Sequence, residues 1–211
     1  MRRDYTVHCA RCTVFSELDL AGSRSRPAPT VPGDSPVAPR RALVPSALAM
    51  PVPSEPVLRA ASVEDVDAIA ALWHHGWIDG HLGHVPEALH AHRRWEDFLR
   101  RVPPRIPITT VATLGRELIG FVTVQDDEIE QLYVAASARG GGIAAVLLRH
   151  GEQVIAGKHA TAWLAVAVGN ARARRFYARQ GWSDAAALDY PAETATGPIA
   201  IPCRRYEKIV R

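Results

Sequence analysis

The sequence contains few cysteines, only three among its 211 residues. Cys9 and Cys12 have the C-x-x-C spacing of half a zinc or redox site, but no second pair lies near them in the sequence, so we interpret them as two ordinary thiols. Cys203 stands alone near the C-terminus, where a small residue on a strand is the simplest interpretation. This shortage excludes a disulfide-stapled scaffold, favours a cytoplasmic location, and gives no reason to expect a bound metal.

Long hydrophobic runs are also missing. The best apolar stretch, residues 162–168, is far shorter than the ~18 residues that a membrane-spanning helix needs. After the basic start, residues 4–8 are largely polar, whereas a secretory signal would continue with an apolar stretch. The sequence therefore predicts neither a membrane span nor a membrane partner.

Residues 54–211, the part of the sequence that can form a hydrophobic core, have no excess of positive or negative charge. The whole sequence has 25 Lys and Arg against 22 Asp and Glu, but residues 1–53 alone hold seven Arg and four acidic residues. Residues 54–211 therefore hold 18 basic and 18 acidic residues. A neutral domain has no general attraction for nucleic acid, so we expect no such partner. The same expectation covers one basic run, interpreted as a solvated helix face, which contains Arg172, Arg174, Arg175 and Arg179.

Residues 1–53 also contain eight of the 16 prolines. This composition buries too little apolar surface to offset chain entropy, and it predicts a disordered Pro- and Arg-rich N-terminal extension. An organelle transit peptide has a related composition, but the amphipathic pattern of one is lacking. Alternatively, the natural protein begins at Met50 and the segment before it is no functional module. Residues 54–211 are expected to form one folded domain.

Helical and strand patterns alternate along residues 54–211, which predicts a mixed α/β domain with its own core. Helical patterns begin at Ser62 and after Pro86, the second ending at Pro103-Pro104. Two further helices are predicted at 142–156 and 171–180. The predicted strands are 57–60, 108–113, 118–125, 128–134, 161–168, 182–188 and 199–210.

Three consecutive glycines at 140–142 connect a predicted strand directly to a predicted helix. Glycines allow positive φ and close approach of a ligand, and the free amides of a first helical turn form an anion site suited to a pyrophosphate. Arg139 would add a positive charge. A nucleotide P-loop is excluded, because Ile143 follows where it needs a lysine. The residues also fit a relaxed form of the dinucleotide-binding motif G-x-G-x-x-G/A. That motif belongs to an early βαβ unit, however, and the strands predicted before the glycines form hairpins instead.

Two motifs together resemble the GCN5-related N-acetyltransferase (GNAT) superfamily. Residues 139–144, R-G-G-G-I-A, match its pyrophosphate motif Q/R-x-x-G-x-G/A, with L-Y-V at 132–134 where the family places a strand. Residues 170–177, N-A-R-A-R-R-F-Y, followed by Gly181-Trp182, look like its N-x-x-A-x-x-F-Y-x-x-x-G-F/W segment. The resemblance covers roughly 57–211. It implies a GNAT-like α/β fold, with a mixed, mostly antiparallel sheet splayed between its fourth and fifth strands and flanked by helices.

This resemblance implies an N-acetyltransferase that moves an acetyl group from acetyl-CoA to a primary amine by direct attack, with a homodimer common in the family. A non-catalytic acyl-CoA-binding sensor of the same fold is the alternative. Tyr177 would be the general acid that protonates the departing thiolate. The positions implied to bind the co-substrate are Leu132, Tyr133, Val134, Arg139, Gly140, Gly141, Gly142, Ile143, Ala144, Ala145 and Asn170.

The amine must lose a proton before it attacks, which requires a base or a water chain. Glu128 and Glu130 are two residues apart on one predicted strand, so their side chains should share a face. We choose Glu130 as the candidate base; the alternative is that both belong to a solvated strand face.

The acceptor pocket would be lined by the first helices and the loop between them. Trp77 and Asp79 could attract a cationic amine there, although the spacing of Trp77 also suits the core. The segment contains four histidines that fit no zinc pattern and are interpreted as surface or pocket-lining residues, His74, His75, His81 and His84.

Overall fold

A single sheet of seven strands organises residues 55–211, the part of the chain that the computed structural model describes. The predicted extension at 1–53, with Cys9, Cys12 and the alternative start at Met50, lies outside the described residues. The strands are β1 (Val57–Ala60), β2 (Thr109–Leu114), β3 (Glu117–Gln125), β4 (Glu128–Val134), β5 (Thr161–Ala167), β6 (Ser183–Ala192) and β7 (Ile199–Ile209). They follow the order β1-β2-β3-β4-β5-β7-β6, and only the β4–β5 neighbours are parallel within this sheet.

Within the described residues, four α-helices pack on this sheet. They are α1 (Val66–His81), α2 (Trp95–Arg101), α3 (Ile143–Ala156) and α4 (Ala171–Arg179). Before α1, the carboxylate of Asp65 accepts the backbone N–H of Ser62 at 2.8 Å and two N–H bonds of Arg59 at 2.7 Å. These hydrogen bonds, above all the two from the Arg59 guanidinium, lower the pKa of Asp65 to about 2.

Two hydrophobic cores cover the two faces of the sheet. On one face α1 and α2 pack on the central strands, and the ring of Trp73 meets Phe98 edge-on at 5.4 Å and Phe121 at 6.3 Å. On the other face lie α3 and α4. Here Gly151 permits close packing of α3, because a Cβ at that position would be 2.6 Å from a methyl carbon of Ile129.

The sheet opens between β4 and β5. Within the described strands their pairing is limited to Glu128 opposite Trp163, where the Trp163 N–H donates to the Asp127 carbonyl at 2.9 Å. Beyond this point the two strands diverge, so the edge of β4 that faces β5 has no backbone ladder. The GNAT-like α/β fold, with its splay between the fourth and fifth strands, is confirmed.

A β-bulge in β4 sets which core each side chain of that strand enters. Thr123 pairs with Gln131 and Val124 with Ile129, so Glu130 is the extra residue. Ile129 and Leu132, three positions apart, consequently face the same core beside α3. The bulge turns the acidic side chains of β4 toward the α1 face instead.

The structure differs from the predicted elements mainly around prolines and at helix ends. The helical stretch after Pro86 consists of a 3₁₀ segment, Glu87–His92, followed by the short α2. Another 3₁₀ segment, Pro103–Ile108, begins at the two prolines and delays the start of β2 by one residue. The strand predicted at 182–188 runs on to Ala192.

Candidate active site

The loop between β4 and α3 has the backbone that its glycines predict. Gly140 and Gly142 both have φ of 80°, in the left-handed region, and Gly142 is the N-cap of α3. Among the described residues, no atom outside their immediate neighbours lies within 4 Å of the position that a Cβ would take at either glycine. Open space thus lies next to the glycines at the N-terminus of a 14-residue helix, an arrangement that can accommodate an anion.

Arg139, which precedes the glycines, extends to α1. Its Nη2 donates to Oδ2 of Asp79 at 3.0 Å, and its side chain is only 10% exposed. The positive charge predicted for the anion site is therefore paired with a carboxylate in this structure.

Residues 132–134 form the end of β4 along the splay. Leu132 and Val134 belong to the core beside α3, whereas Tyr133 belongs to the core beside α1. Their side chains thus hold the strand from both faces. The backbone edge of β4 that faces β5 remains available to pair with an extended ligand, as an added strand would.

Two residues of the downstream motif have clear positions in α4. The side-chain oxygen of Asn170 accepts the N–H of Ala173 at 3.0 Å and caps the helix. Tyr177 is fully buried, with its ring 6.1 Å from Trp182 and 6.2 Å from Tyr206. Its core also contains residues of both β4 and β5, so an extended ligand in the splay would approach this side of the tyrosine.

Glu130 is held in a buried ion pair. Nε of Arg105 donates to its two carboxylate oxygens at 3.0 and 3.1 Å, and Nη2 of Arg105 donates at 2.8 Å. Both side chains are less than a tenth exposed. This geometry requires a charged carboxylate at Glu130 and occupies both of its oxygens.

Glu128, at the narrow end of the splay, has a different environment. It is 6% exposed and accepts a hydrogen bond from the Tyr190 hydroxyl at 3.3 Å. Burial, reinforced by the negative charge of Glu130, raises the pKa of Glu128 to about 9, against the opposing effect of Tyr190. Glu128 and Glu130 therefore do share a face, and it is a buried face rather than a solvated one.

Side chains from α2 and the segments around it fix the chain after β6. The carbonyl oxygen of Glu193 accepts hydrogen bonds from Arg93, at 3.1 Å, and from Arg101. Its carboxylate lies 3.5 Å from Arg101 and 3.6 Å from Arg105. Arg105 thus connects the buried carboxylate of β4 to the loop between β6 and β7.

The end of α1 is packed rather than open. His81 is 1% exposed and stacks on Trp77 at 5.3 Å, with Nδ1 placed 3.0 Å from the Trp77 carbonyl. Since a carbonyl can only accept, Nδ1 carries the proton. Burial lowers the pKa of His74, and His84 lies against Gly169 just after β5. No group of three His, Cys, Asp or Glu side chains in residues 55–211 is arranged to hold a metal ion, and no helix there is long and apolar enough to cross a membrane.

The chain belongs to the acetyltransferase (GNAT) family, whose model matches residues 68–182. Its general chemistry is accordingly that of an acetyltransferase. No curated protein matches the chain.

Solved structures of acetyltransferases share the fold. A GCN5-related N-acetyltransferase of Rhodopseudomonas palustris is 20% identical with a TM-score of 0.57, and the alignment covers 76% of this chain and 99% of that one. PaiA N-acetyltransferase of Thermoplasma acidophilum, solved in complex with coenzyme A, is 19% identical with a TM-score of 0.54 over 74% and 99% of the two chains. YncA of Salmonella typhimurium, solved with acetyl-CoA, is 16% identical with a TM-score of 0.55 over 75% and 95%.

Residues 132–134 lie in β4 beyond its pairing with β5, and the glycine loop follows this strand. Tyr177 belongs to the core that also contains residues of β4 and β5, while Asn170 caps α4. Sequence reasoning missed Arg105, Tyr190 and Glu193, because no local motif contains them.

Proposed function

We propose that this protein transfers an acetyl group from acetyl-CoA to a primary amine by direct attack. The observation that carries this proposal is the glycine loop at the N-terminus of α3, which follows the end of β4 that lies farthest from its pairing with β5 at Glu128. An anion site for a pyrophosphate thus leads into a slot that offers a strand edge to an extended arm. Family membership supports acetyl transfer in general.

In this proposal the backbone supplies most of the binding. The amides of residues 140–145 hold the pyrophosphate, and the edge of β4 at 132–134 pairs with the pantetheine arm and the acetyl carbonyl. Asn170 contributes at the end of β5, where its side chain already fixes the first turn of α4.

Tyr177 serves as the general acid. Acetyl-CoA supplies a thioester, whose carbonyl carbon an uncharged amine attacks as the C–S bond breaks. The Tyr177 hydroxyl donates its proton to the departing sulfur, whose thiol has a pKa near ~8.5. Burial of the tyrosine excludes water as a competing proton donor at that point.

The base is one of the two buried carboxyl groups of β4. Glu130, the residue chosen from the sequence, is fully engaged by Arg105. Glu128 instead accepts a hydrogen bond from the Tyr190 hydroxyl, and a carboxyl group whose pKa is raised to about 9 binds a proton strongly. An approaching ammonium ion would favour the charged form of Glu128, so that its own proton is released to solvent and the carboxylate then accepts the proton of the ammonium ion.

Thiol release tests the proposal. The full chain with acetyl-CoA and a panel of amines should liberate free CoA, detected with a thiol reagent. Tyr177→Phe should lower kcat while leaving CoA affinity within about twofold, because it removes a proton donor and keeps the ring. Tyr206→Phe, which removes a hydroxyl that accepts a bond from Arg174, is the control and should retain kcat. An unchanged kcat in Tyr177→Phe would remove this residue as the acid.

A non-catalytic acyl-CoA sensor is the second candidate. It is favoured by one observation: Glu130 is paired with Arg105 and burial raises the pKa of Glu128, so neither buried carboxyl group of β4 is ready to accept a proton in the free protein. Tight CoA binding without thiol release across amines, peptides and proteins would establish it. A cytoplasmic location and a homodimer remain predictions for either function.

A further inference from the structure

The ion pair between Arg139 and Asp79 connects two parts of the chain that are 60 residues apart. Arg139 is the last residue before the glycine loop, and Asp79 lies in the last turns of α1. The guanidinium is mostly buried, with 10% of the side chain exposed, whereas the Asp79 side chain is 43% exposed. This ion pair therefore links the residue before the glycine loop to α1, and we call it the Arg139–Asp79 tie.

The Arg139–Asp79 tie lies next to a stretch of backbone that has unusually large conformational freedom in the unfolded chain. Three successive glycines lose more conformational entropy on ordering than any other residues would. On the other side of Arg139, the short 3₁₀ segment Ala136–Ala138 is closed by the Arg139 N–H bond to the Ala136 carbonyl at 3.3 Å. With Arg139 held, the loop begins at a fixed point, so its amides need less ordering when an anion binds.

Pairing with Asp79 also changes the role of the charge on Arg139. Nη2 of the guanidinium donates to the carboxylate at 3.0 Å, so much of the positive charge is neutralised within the protein. The contribution of Arg139 to an anion site then comes chiefly through the position of the loop.

We propose that Asp79 is a positioning residue for the CoA pyrophosphate, because it holds Arg139 and thereby orders the glycine loop. This inference rests on the proposed function and deepens it. It also couples α1 to the loop. Since such coupling is reciprocal, CoA binding stabilises the end of α1, where Trp77 and His81 pack.

The experiment compares two ligands of the full chain by calorimetry: CoA, and pantetheine, which lacks the pyrophosphate. Asp79→Asn should weaken CoA binding on the order of fivefold and pantetheine binding by no more than about twofold. Arg139→Gln should give the same pattern, and the double variant should lose no more than Arg139→Gln alone. Asp79→Glu, which keeps the carboxylate, should recover part of the CoA affinity. Asp67→Asn, the same change at an exposed position of α1, should alter neither affinity.

Several outcomes would overturn the inference. If Arg139 binds the pyrophosphate directly, Asp79→Asn would tighten CoA binding or leave it unchanged, while Arg139→Gln alone weakens it. Equal losses for CoA and pantetheine would place the effect elsewhere than the glycine loop, and additive losses would show that the two side chains act separately.

The same measurements separate this inference from the proposed function. A wild-type chain that binds CoA but releases no thiol contradicts the proposed catalysis, whereas the binding pattern of Asp79→Asn still decides the role of Asp79. A wild-type chain that binds neither ligand refutes both. Thermal melts by circular dichroism verify that each variant is folded.

Discussion

Replacing Glu128 with glutamine should change how the stability of the protein depends on pH. The pKa of Glu128 is raised from 4.5 to about 9, mainly by burial and then by the charge of Glu130. Between these two values the folded protein keeps a proton that the unfolded chain has released. The free energy of unfolding of the wild type therefore falls as pH rises through this window.

The size of this effect follows from the shift. A difference of roughly 4.5 pKa units corresponds to roughly 6 kcal/mol, lost at ~1.4 kcal/mol for each pH unit between about 4.5 and 9. This is a large part of the ~5–15 kcal/mol that stabilises an ordinary domain. Glu128→Gln has nearly the same shape and no proton to lose, so its stability should lack this dependence and exceed that of the wild type increasingly at alkaline pH.

Denaturant unfolding at pH 5, 7 and 9 provides the measurement. The difference in unfolding free energy between Glu128→Gln and wild type should grow with each step in pH. Glu117→Gln, at an exposed position of β3, is the matched control and should follow the wild type. If Glu128→Gln and wild type keep a constant difference from pH 5 to 9, Glu128 is charged in the folded protein and the reasoning is refuted.

Three further predictions concern the same region. Gly142→Ala places a Cβ on a residue with φ of 80°, so it should lower the free energy of unfolding by about 1–2 kcal/mol in chemical denaturation and weaken CoA binding. The control is Gly157→Ala, at φ of −61°, which should change neither quantity. In Gly76→Ala the new Cβ would be 2.5 Å from a ring carbon of Tyr133, so the melting temperature should fall, and an unchanged value would mean that the ring moves freely. Glu130→Gln removes a charge that raises the pKa of Glu128, so the rise of kcat/KM with pH should shift to lower pH; a shift in the opposite direction would contradict the coupling.

Features of the fold that depend on neighbours in sequence were predictable. The hairpin strands and the glycine loop could be predicted from local patterns. Alternation of apolar and polar residues, turn residues and a strand–glycine–helix junction each extend over no more than about twenty residues of sequence. The proline-rich segment was harder. Pro103-Pro104 ends an α-helix in the ordinary way, but the chain continues as the 3₁₀ segment Pro103–Ile108. The two prolines are tolerated there because they occupy its first positions, where an N–H would have no partner within the helix.

The charged side chains of the site were not predictable in the same way. The pair of Arg105 with Glu130 spans 25 residues, and the contact of Arg101 with Glu193 spans 92. Such pairs form only after the sheet and α2 are assembled, and the bulge at Glu130 decides which face the acidic residues enter. Alternation along β4 correctly placed Glu128 and Glu130 together, but it contained no information on whether that face is wet or buried.

The neutral charge of residues 54–211 is consistent with binding a polyanion once the positions of the arginines are known. Arg105 is paired with Glu130, Arg139 with Asp79, and Arg204 with Asp184. Basic side chains that are already matched by carboxylates add little attraction for phosphate. Backbone amides, in contrast, keep their orientation whatever the net charge of the domain, and the dipole of α3 adds to them at the glycine loop. The phosphate site that we propose is therefore a property of backbone geometry, and in this proposal the charged residues act mainly by holding that geometry in place.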